Sequence, residues 1–378
     1  MRHLLGMTVH EELVELICPV GLNFPRQVTF AASYPESAVM PAAVPASLPE
    51  LFAAFNHLTV LIVGDVMMDA YVWGKAARLS PEAPVPVVTV SRQEQRLGGA
   101  ANVALNVQAL GATPLLCAVI GEDQGGDQLL EVLQASGLSA EGIVRSSYRP
   151  TTVKQRILAH GQQLLRIDSE VETTLNATEN TNLTARFEQL LGRADVVIFE
   201  DYDKGVLQES SIQHFIGLAR QRGVPTVVDP KKKNFLAYQY CTLFKPNLKE
   251  LREGLKLEFG DSEADRPHFE AAVARLREVL TPEIVLVTLS ERGVFVENDQ
   301  LTRTYIPAHL RTISDVSGAG DTVISIAALC VALGLSAPAT AALANLGGGL
   351  VCEQIGVVPI EKSLLLKEAE RVGLLPVA

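Results

Sequence analysis

The chain is predicted to fold as an α/β protein: a mostly parallel sheet with helices on both faces and a small β lid over the strand ends. Three observations carry that prediction. Short apolar runs bounded by turn residues recur along the chain, helix-length stretches separate them, and two β-rich segments with polar alternate positions break the alternation. Continuous apolar runs suit strands buried on both faces, whereas alternation marks strands with one wet face.

In chain order, residues 1 to 47 show no sustained periodicity and run into the Pro/Ala/Ser-rich "SYPESAVMPAAVPASLPE", so they read as a poorly ordered extension. Met40 lies just ahead of the globular pattern, which leaves a later start codon open. One domain is expected over residues 48–378. "LTVLIVGD" from Leu58 is its first buried strand, and "GGAANVALNVQALG" its first long helix. "APVPVVTVSRQEQRLG" and "TTVKQRILAHGQQLLRID" fall in the lid, whose segments span about 71–98 and 143–168. "ADVVIFED", "PTVVDP", "TLFKPN" and "EIVLVTLS" supply further buried strands, "FEAAVARLREVL" a covering helix, and Thr322 to Leu335 a buried one. In such sheets ligands bind beyond the carboxyl ends of the strands, where Asp65, Asp201, Asp229, Asn247 and Ser290 fall.

Composition removes several classes. At 378 residues the chain can bury a sizeable core, and its net charge of -11 argues against a non-specific nucleic-acid binder. Five scattered cysteines without a C-x-x-C pair form no closed disulfide framework and read as reduced and cytosolic. No apolar run reaches the roughly 18 residues of a membrane span, and Glu11, Glu12 and Glu15 sit where a signal peptide is uncharged. The expected location is the cytoplasm, away from any membrane. The chain has no H-E-x-x-H, G-x-S-x-G or P-loop motif, and no G-x-G-x-x-G after the first strand.

The chemistry concentrates in a few short stretches. "DVSGAGDTVISIAALC" places Gly318, Ala319 and Gly320 at a helix entrance, where amides lack internal partners and small residues let an anion approach. Asp321 behind them is either a first-turn acid that complements the helix dipole or the base that takes a hydroxyl proton during phosphoryl transfer. Gly98 and Gly99 open a second helix, as a tight turn or as a place where backbone meets ligand, with Asn102 one turn in to bond a polyol. Asp65 and Asp69 suit sugar hydroxyls or a solvated loop. In "KPNLKE", Asn247 and Glu250 read as a capping box or as a pair ordering water around Mg²⁺. Lys204 and the run Lys231 to Lys233 are a solvated surface or a phosphate grip, and Lys154, Arg156 and Arg166 add charge from the lid.

Together these stretches resemble the ribokinase-like (PfkB) carbohydrate kinases: "GGAANVALN" is similar to the first family signature and "DVSGAGDTVISIAALCVA" to the second. The resemblance runs from about residue 50 to the C-terminus. "GDVMMDAYVWGKAARLSPEAPVPVVTV", "DYDKG" and "DPKKKNF" narrow it to heptose kinases. It implies a ribokinase-like three-layer sandwich whose β lid often forms a homodimer, with ATP and Mg²⁺ as cofactors. The implied reaction is phosphorylation of D-glycero-β-D-manno-heptose 7-phosphate at its anomeric hydroxyl, on the way to ADP-heptose and lipopolysaccharide core.

By the same resemblance Asp321 would be the base, and the amides of Gly318, Ala319 and Gly320 would hold the transferring phosphoryl group. Asp65, Asp69, Gly98, Gly99 and Asn102 would hold the sugar, and Lys154, Arg156 and Lys204 its 7-phosphate. Asn247, Leu248, Lys249 and Glu250 match the nucleotide- and metal-associated N-x-x-E, with Glu250 reaching metal through water. Thr288, Ser290, Gly293 and Asn345 would border the nucleotide. Asp203 departs from the pattern by adding negative charge near the phosphate grip. No H-x-G-H follows, so a separate nucleotidyltransferase is expected. The alternatives are a PfkB-type kinase of ribose, fructose or a nucleoside, and a catalytically silent sugar-binding protein.

Overall fold

The computed structural model describes residues 44–309, 311–354 and 356–375; the extension over residues 1–43, Met40 included, lies outside them. Ser47 caps helix α1 (Leu48–Ala54), its hydroxyl accepting from the Glu50 amide.

The central sheet holds β1 (Thr59–Gly64), β4 (Thr113–Gly121), β5 (Gly142–Ser146), β8 (Val196–Glu200), β9 (Thr226–Asp229), β10 (Leu243–Phe244), β11 (Ile284–Thr288), β12 (Val294–Glu297) and β13 (Arg303–Ile306). Their order is β13-β12-β11-β10-β9-β8-β1-β4-β5. Every pairing from β5 to β11 is parallel, and only β12 runs against the rest, paired antiparallel to both β11 and β13 at the edge.

Side chains alternate along a strand, so each buried strand feeds two cores. Val60 and Ile62 of β1 face one side, Leu61 and Val63 the other; in β8, Val196 and Ile198 part in the same way from Val197 and Phe199. The first core is covered by α1, α2 (Ala100–Ala109), α3 (Gln124–Ala135), α8 (Ala319–Ala332), α9 (Ala337–Val351) and α10 (Lys362–Arg371). The second is covered by α4 (Ala177–Leu191), α5 (Glu209–Gln221), α6 (Leu248–Leu255) and α7 (Arg266–Leu280), with Phe187 stacked on Phe215 at 4.0 Å. The predicted three layers are therefore present.

A second sheet, in the order β3-β2-β6-β7, forms the lid from β2 (Val66–Leu79), β3 (Pro86–Gly99), β6 (Val153–Ala159) and β7 (Gln162–Ser169). Its limits differ from the expected 71–98 and 143–168. β2 leaves the first strand directly after Asp65, because Val66, Met67 and Met68 are buried. Residues 142–146 belong to the central sheet: β5 pairs with β4 and buries Val144, and a Cβ on Gly142 would lie 2.3 Å from the Leu116 carbonyl oxygen. The short run Ile143–Val144 was too brief to separate a sheet-edge strand from a lid strand.

The pairings align Gly64 with Glu200 and Glu200 with Asp229, which gathers three strand ends at one place. Helices α2 and α8 start above the same edge. Asn106 in α2 accepts from the Thr322 hydroxyl at 2.9 Å and from the Ile360 amide at 3.0 Å, tying the two helices and the chain before α10 together.

Candidate active site

Gly318 caps α8 with φ 79°, in the left-handed region that glycine enters without strain. The preceding loop is fastened by Asp315, whose two oxygens accept from the Ser317 and Gly356 amides, each at 2.9 Å. Ala319 donates to the Val316 carbonyl at a long 3.4 Å, and among the described residues no backbone carbonyl outside the helix accepts from Gly320 or Asp321. Donors of the first turn are thus available, at the positive end of a buried helix. A Cβ on Gly320 would stand 3.6 Å from Asp229 Oδ2 and 3.8 Å from Lys245 Nζ, so this bare face looks onto an acid and a lysine.

Asp321 is buried, and each of its oxygens accepts one hydrogen bond: Oδ2 from Asn102 Nδ2 at 2.5 Å, Oδ1 from the Tyr202 hydroxyl at 3.0 Å. Burial, with Asp229 close by, pushes its carboxyl up to about 6, and the donors from Asn102 and Tyr202 oppose that rise. A carboxylate accepts about four hydrogen bonds, so the side chain retains lone pairs for a substrate hydroxyl. It is mostly ionised at neutral pH and basic enough to accept a proton.

One carboxylate oxygen from each of Glu200, Asp229 and Asp321 lies within 4.8 Å of the others. Glu200 is fully buried, neither of its oxygens accepts a hydrogen bond, and Asp229 Oδ1 is also without a donor. Burial and the neighbouring Asp229 and Asp321 hold the Glu200 carboxyl well above the usual range. Lys245, itself buried, pairs with Asp229 Oδ2 at 2.8 Å. Buried carboxylate oxygens without donors are costly, and a hard divalent cation with oxygen ligands satisfies them. The donor set of Glu200 and Asp229 therefore fits Mg²⁺.

The two acids that the sequence reading assigned to the sugar differ. Asp65 accepts the Tyr202, Lys204 and Val206 amides at 2.8, 3.0 and 3.2 Å, which occupies it within the protein. Asp69 instead pairs with Arg156 through Oδ1, while a Cβ on Gly98 would lie 2.6 Å from its Oδ2. Lacking a side chain, Gly98 leaves that oxygen uncovered. Gly99, at φ 58° and ψ -136°, turns the chain from β3 into α2, and a Cβ there would meet the Asp65 carbonyl at 2.4 Å. Asn102 donates to Asp321, and its own buried Oδ1 has no donor.

The basic candidates do not share one set of contacts. Strand register aligns Asp69 with Arg96 and Lys154, and Tyr71 with Glu94 and Arg156, so these residues share one face of the lid. The Arg156 and Arg96 guanidiniums lie 5.3 and 5.1 Å from the Tyr71 ring. Lys154 is half-buried and forms no ion pair among the described residues. Lys204 points elsewhere, to Glu170 at 2.8 Å and Glu172 at 3.6 Å. Asp203, the added negative charge, accepts from the Lys233 amide at 3.1 Å.

Toward the nucleotide candidates, Asn247 and Glu250 form the capping box reciprocally, both bonds at 2.8 Å. Glu250 Oε1 pairs with Lys231 at 2.5 Å, so both its oxygens are engaged, and the donor-free oxygens belong to Glu200 and Asp229. Leu248 packs against the second core, while Lys249 is exposed. Thr288 bridges to Asn247. The turn after it has positive φ at Ser290 and Gly293, and a Cβ on Gly293 would overlap the Ile306 carbonyl. Asn345 of α9 donates to the Pro307 carbonyl at 2.9 Å, against the loop that leaves β13.

Three residues at this site were given no role from the sequence: Glu200, Tyr202 and Lys245. Each carried a signal, a polar or charged residue at or just beyond the end of a buried strand, the same placement that singled out Asp65, Asp201, Asp229, Asn247 and Ser290.

Helix-entrance donors facing a lysine, with an ionisable acid behind them at the ends of parallel strands, are the parts of a phosphotransferase acting on a sugar hydroxyl. Residues 58–363 match the model of the pfkB family carbohydrate kinases, and the chain belongs to that family. It is 40% identical over 317 residues to the "Bifunctional protein HldE" of Pseudomonas aeruginosa (strain LESB58), covering 84% of this chain and 65% of the relative. It is 37% identical over 310 residues to the protein of the same name from Syntrophotalea carbinolica, covering 82% and 62%. The chain thus spans less than two thirds of these relatives' length. Among solved structures it is similar to phosphofructokinase-2 from Escherichia coli (TM-score 0.67, 17% identity, 84% of this chain and 99% of that one). It is also similar to Arabidopsis thaliana ribokinase (TM-score 0.63, 18% identity, 82% and 99%). At such identity these two likenesses show the fold alone.

Proposed function

We propose that the chain is an ATP- and Mg²⁺-dependent kinase that phosphorylates D-glycero-β-D-manno-heptose 7-phosphate at its anomeric hydroxyl. The observation that carries the chemistry is Asp321, buried, ionisable and held by Asn102 and Tyr202, directly behind the bare entrance of α8. The choice of sugar rests on the heptose-kinase resemblance of the lid and loop motifs, supported by the identity to the relatives named above.

In this reading Asp321 takes the proton of the anomeric hydroxyl as its oxygen attacks. The amides of Gly318, Ala319 and Gly320 accept the charge of the transferring phosphoryl group, and Lys245 adds positive charge on the same face. Glu200 and Asp229 would hold Mg²⁺, with Glu250 keeping Lys231 in place beside them. When bound, Mg²⁺ neutralises charge on the nucleotide phosphates. Asp69 and Gly98 face the sugar, and Arg156 and Lys154 attract its 7-phosphate. Thr288, Ser290, Gly293 and Asn345 border the nucleotide.

The lid's other face supports a homodimer: Leu165 and Ile167 are exposed there, along with Leu79, Val85 and Val90 elsewhere in the lid. The cytoplasm is the compartment that fits free Cys117, Cys241, Cys330 and Cys352. Among the described residues no helix is long and apolar enough to cross a membrane. The product would be consumed by a nucleotidyltransferase, on this polypeptide or another.

One observation favours a rival of the same class, acting on ribose, fructose or a nucleoside: Arg156 and Lys204 already have acid partners. ADP release measured across a panel of free sugars, nucleosides and sugar phosphates decides between them. Turnover on the heptose 7-phosphate far above all unphosphorylated compounds is expected; the reverse order would transfer the assignment to the rival.

A further inference from the structure

The loop from Asp201 to Val206 joins two buried acids that the sequence treats as unrelated. Three of its amides, those of Tyr202, Lys204 and Val206, converge on the Asp65 carboxylate. Hydrogen bonds from backbone to a carboxylate are charge-assisted, and burial strengthens them. The loop is braced further where Asp201 accepts from the Asp203 amide at 2.8 Å, from Asn234 at 3.0 Å and from the Tyr238 hydroxyl at 2.8 Å. Asp203 lies at φ 58°, a left-handed conformation that a non-glycine residue keeps when its surroundings hold it.

Tyr202 is the residue that spans the gap. Its amide donates to Asp65 Oδ2 at 2.8 Å and its hydroxyl to Asp321 Oδ1 at 3.0 Å, while Lys231 Nζ lies 5.2 Å from its ring centre. Asn102, from another element, holds the second oxygen of Asp321. One donor on each oxygen fixes the carboxylate plane, and a base held in one orientation gains from effective molarity.

The geometry points to Tyr202 as a positioning residue for the base Asp321, with Asp65 acting through it rather than on the sugar. This rests on the reading of Asp321 as the base. A group that orients the base without touching the sugar acts on the chemical step and leaves ground-state binding alone.

The test is a double-mutant cycle with Tyr202→Phe and Asp65→Asn, measured on the sugar with the highest turnover and ATP with Mg²⁺. Losing one hydrogen bond to a charged group predicts a drop in kcat of about tenfold for Tyr202→Phe, with KM for sugar and ATP within about twofold. Asp65→Asn is expected to lower kcat in the same way, and the double variant to be no worse than the weaker single variant. A wild-type kcat in Tyr202→Phe, a loss confined to KM, or additive losses would overturn the inference. Should Asp65→Asn fail to fold by circular dichroism, the split between kcat and KM in Tyr202→Phe decides alone. Asp321→Asn run alongside separates the two claims. If it turns over normally the base reading has failed; if it is inactive while Tyr202→Phe is unaffected, only the role of Tyr202 has failed.

Discussion

The corner around Asp321 and the lid beside it carry charge in opposite ways. In the corner Glu200, Asp229, Lys245 and Asp321 are all buried, and strand register and helix starts fix their positions. In the lid Arg156, Lys154 and Arg96 are half-buried on strands whose neighbours are other lid strands, and Arg166 is exposed. Buried charge is expensive to move and gives one geometry; half-exposed charge on long side chains adapts to what it meets. The difference teaches that, on the proposed function, the sheet ends would set the reaction type while the choice of sugar would lie in a part of the molecule that can vary around them.

Replacing Asp321 by Asn is the sharpest way to break the corner. It is expected to lower kcat on the order of 10²- to 10⁴-fold, the usual contribution of a positioned base, with ATP binding by calorimetry nearly unchanged. Retained turnover would remove the base from the account. Next in size is pH. Asp321 must be ionised to accept a proton, and its carboxyl is raised to about 6, so kcat/KM should fall about tenfold per pH unit below that value. An acid limb near 4 would mean that burial does not act on the base as described.

The lid is tested by substrate affinity. Arg156→Ala should raise KM for the phosphosugar about tenfold with kcat little changed, and Lys204→Ala should do much less, because that ammonium is held by Glu170 and Glu172. Equal effects would show that Lys204 leaves its partners when substrate binds. The smallest effect on turnover is expected from Leu165→Lys combined with Ile167→Lys on the exposed apolar face. Light scattering should report loss of a dimer while kcat stays within about twofold. A particle unchanged in mass would place any dimer contact elsewhere.

Much of the corner was legible in the sequence because its chemistry depends on local facts. Small residues at a helix start, an acid in the first turn and a capping box at Asn247 can be read from spacing alone. Roles set by distant partners could not be read. Asp65 and Asp69 looked alike four residues apart, yet the three amides that occupy Asp65 come from residues 202 to 206 and were visible only once the fold joined them. Tyr202 and Lys245 were passed over for the same reason, since their partners Asp321 and Asp229 lie on other elements. The lid was recognised as β-rich from its alternation, but its limits moved because Gly142 to Ser146 serve an edge strand of the central sheet.

Phosphorus NMR of the product formed from D-glycero-β-D-manno-heptose 7-phosphate, ATP and Mg²⁺ tests the central claim most directly. The account predicts a second sugar phosphorus signal coupled to the anomeric proton, appearing with ADP and absent with Asp321→Asn. No new signal from the heptose phosphate, alongside phosphorylation of an unphosphorylated sugar by the same preparation, would contradict it.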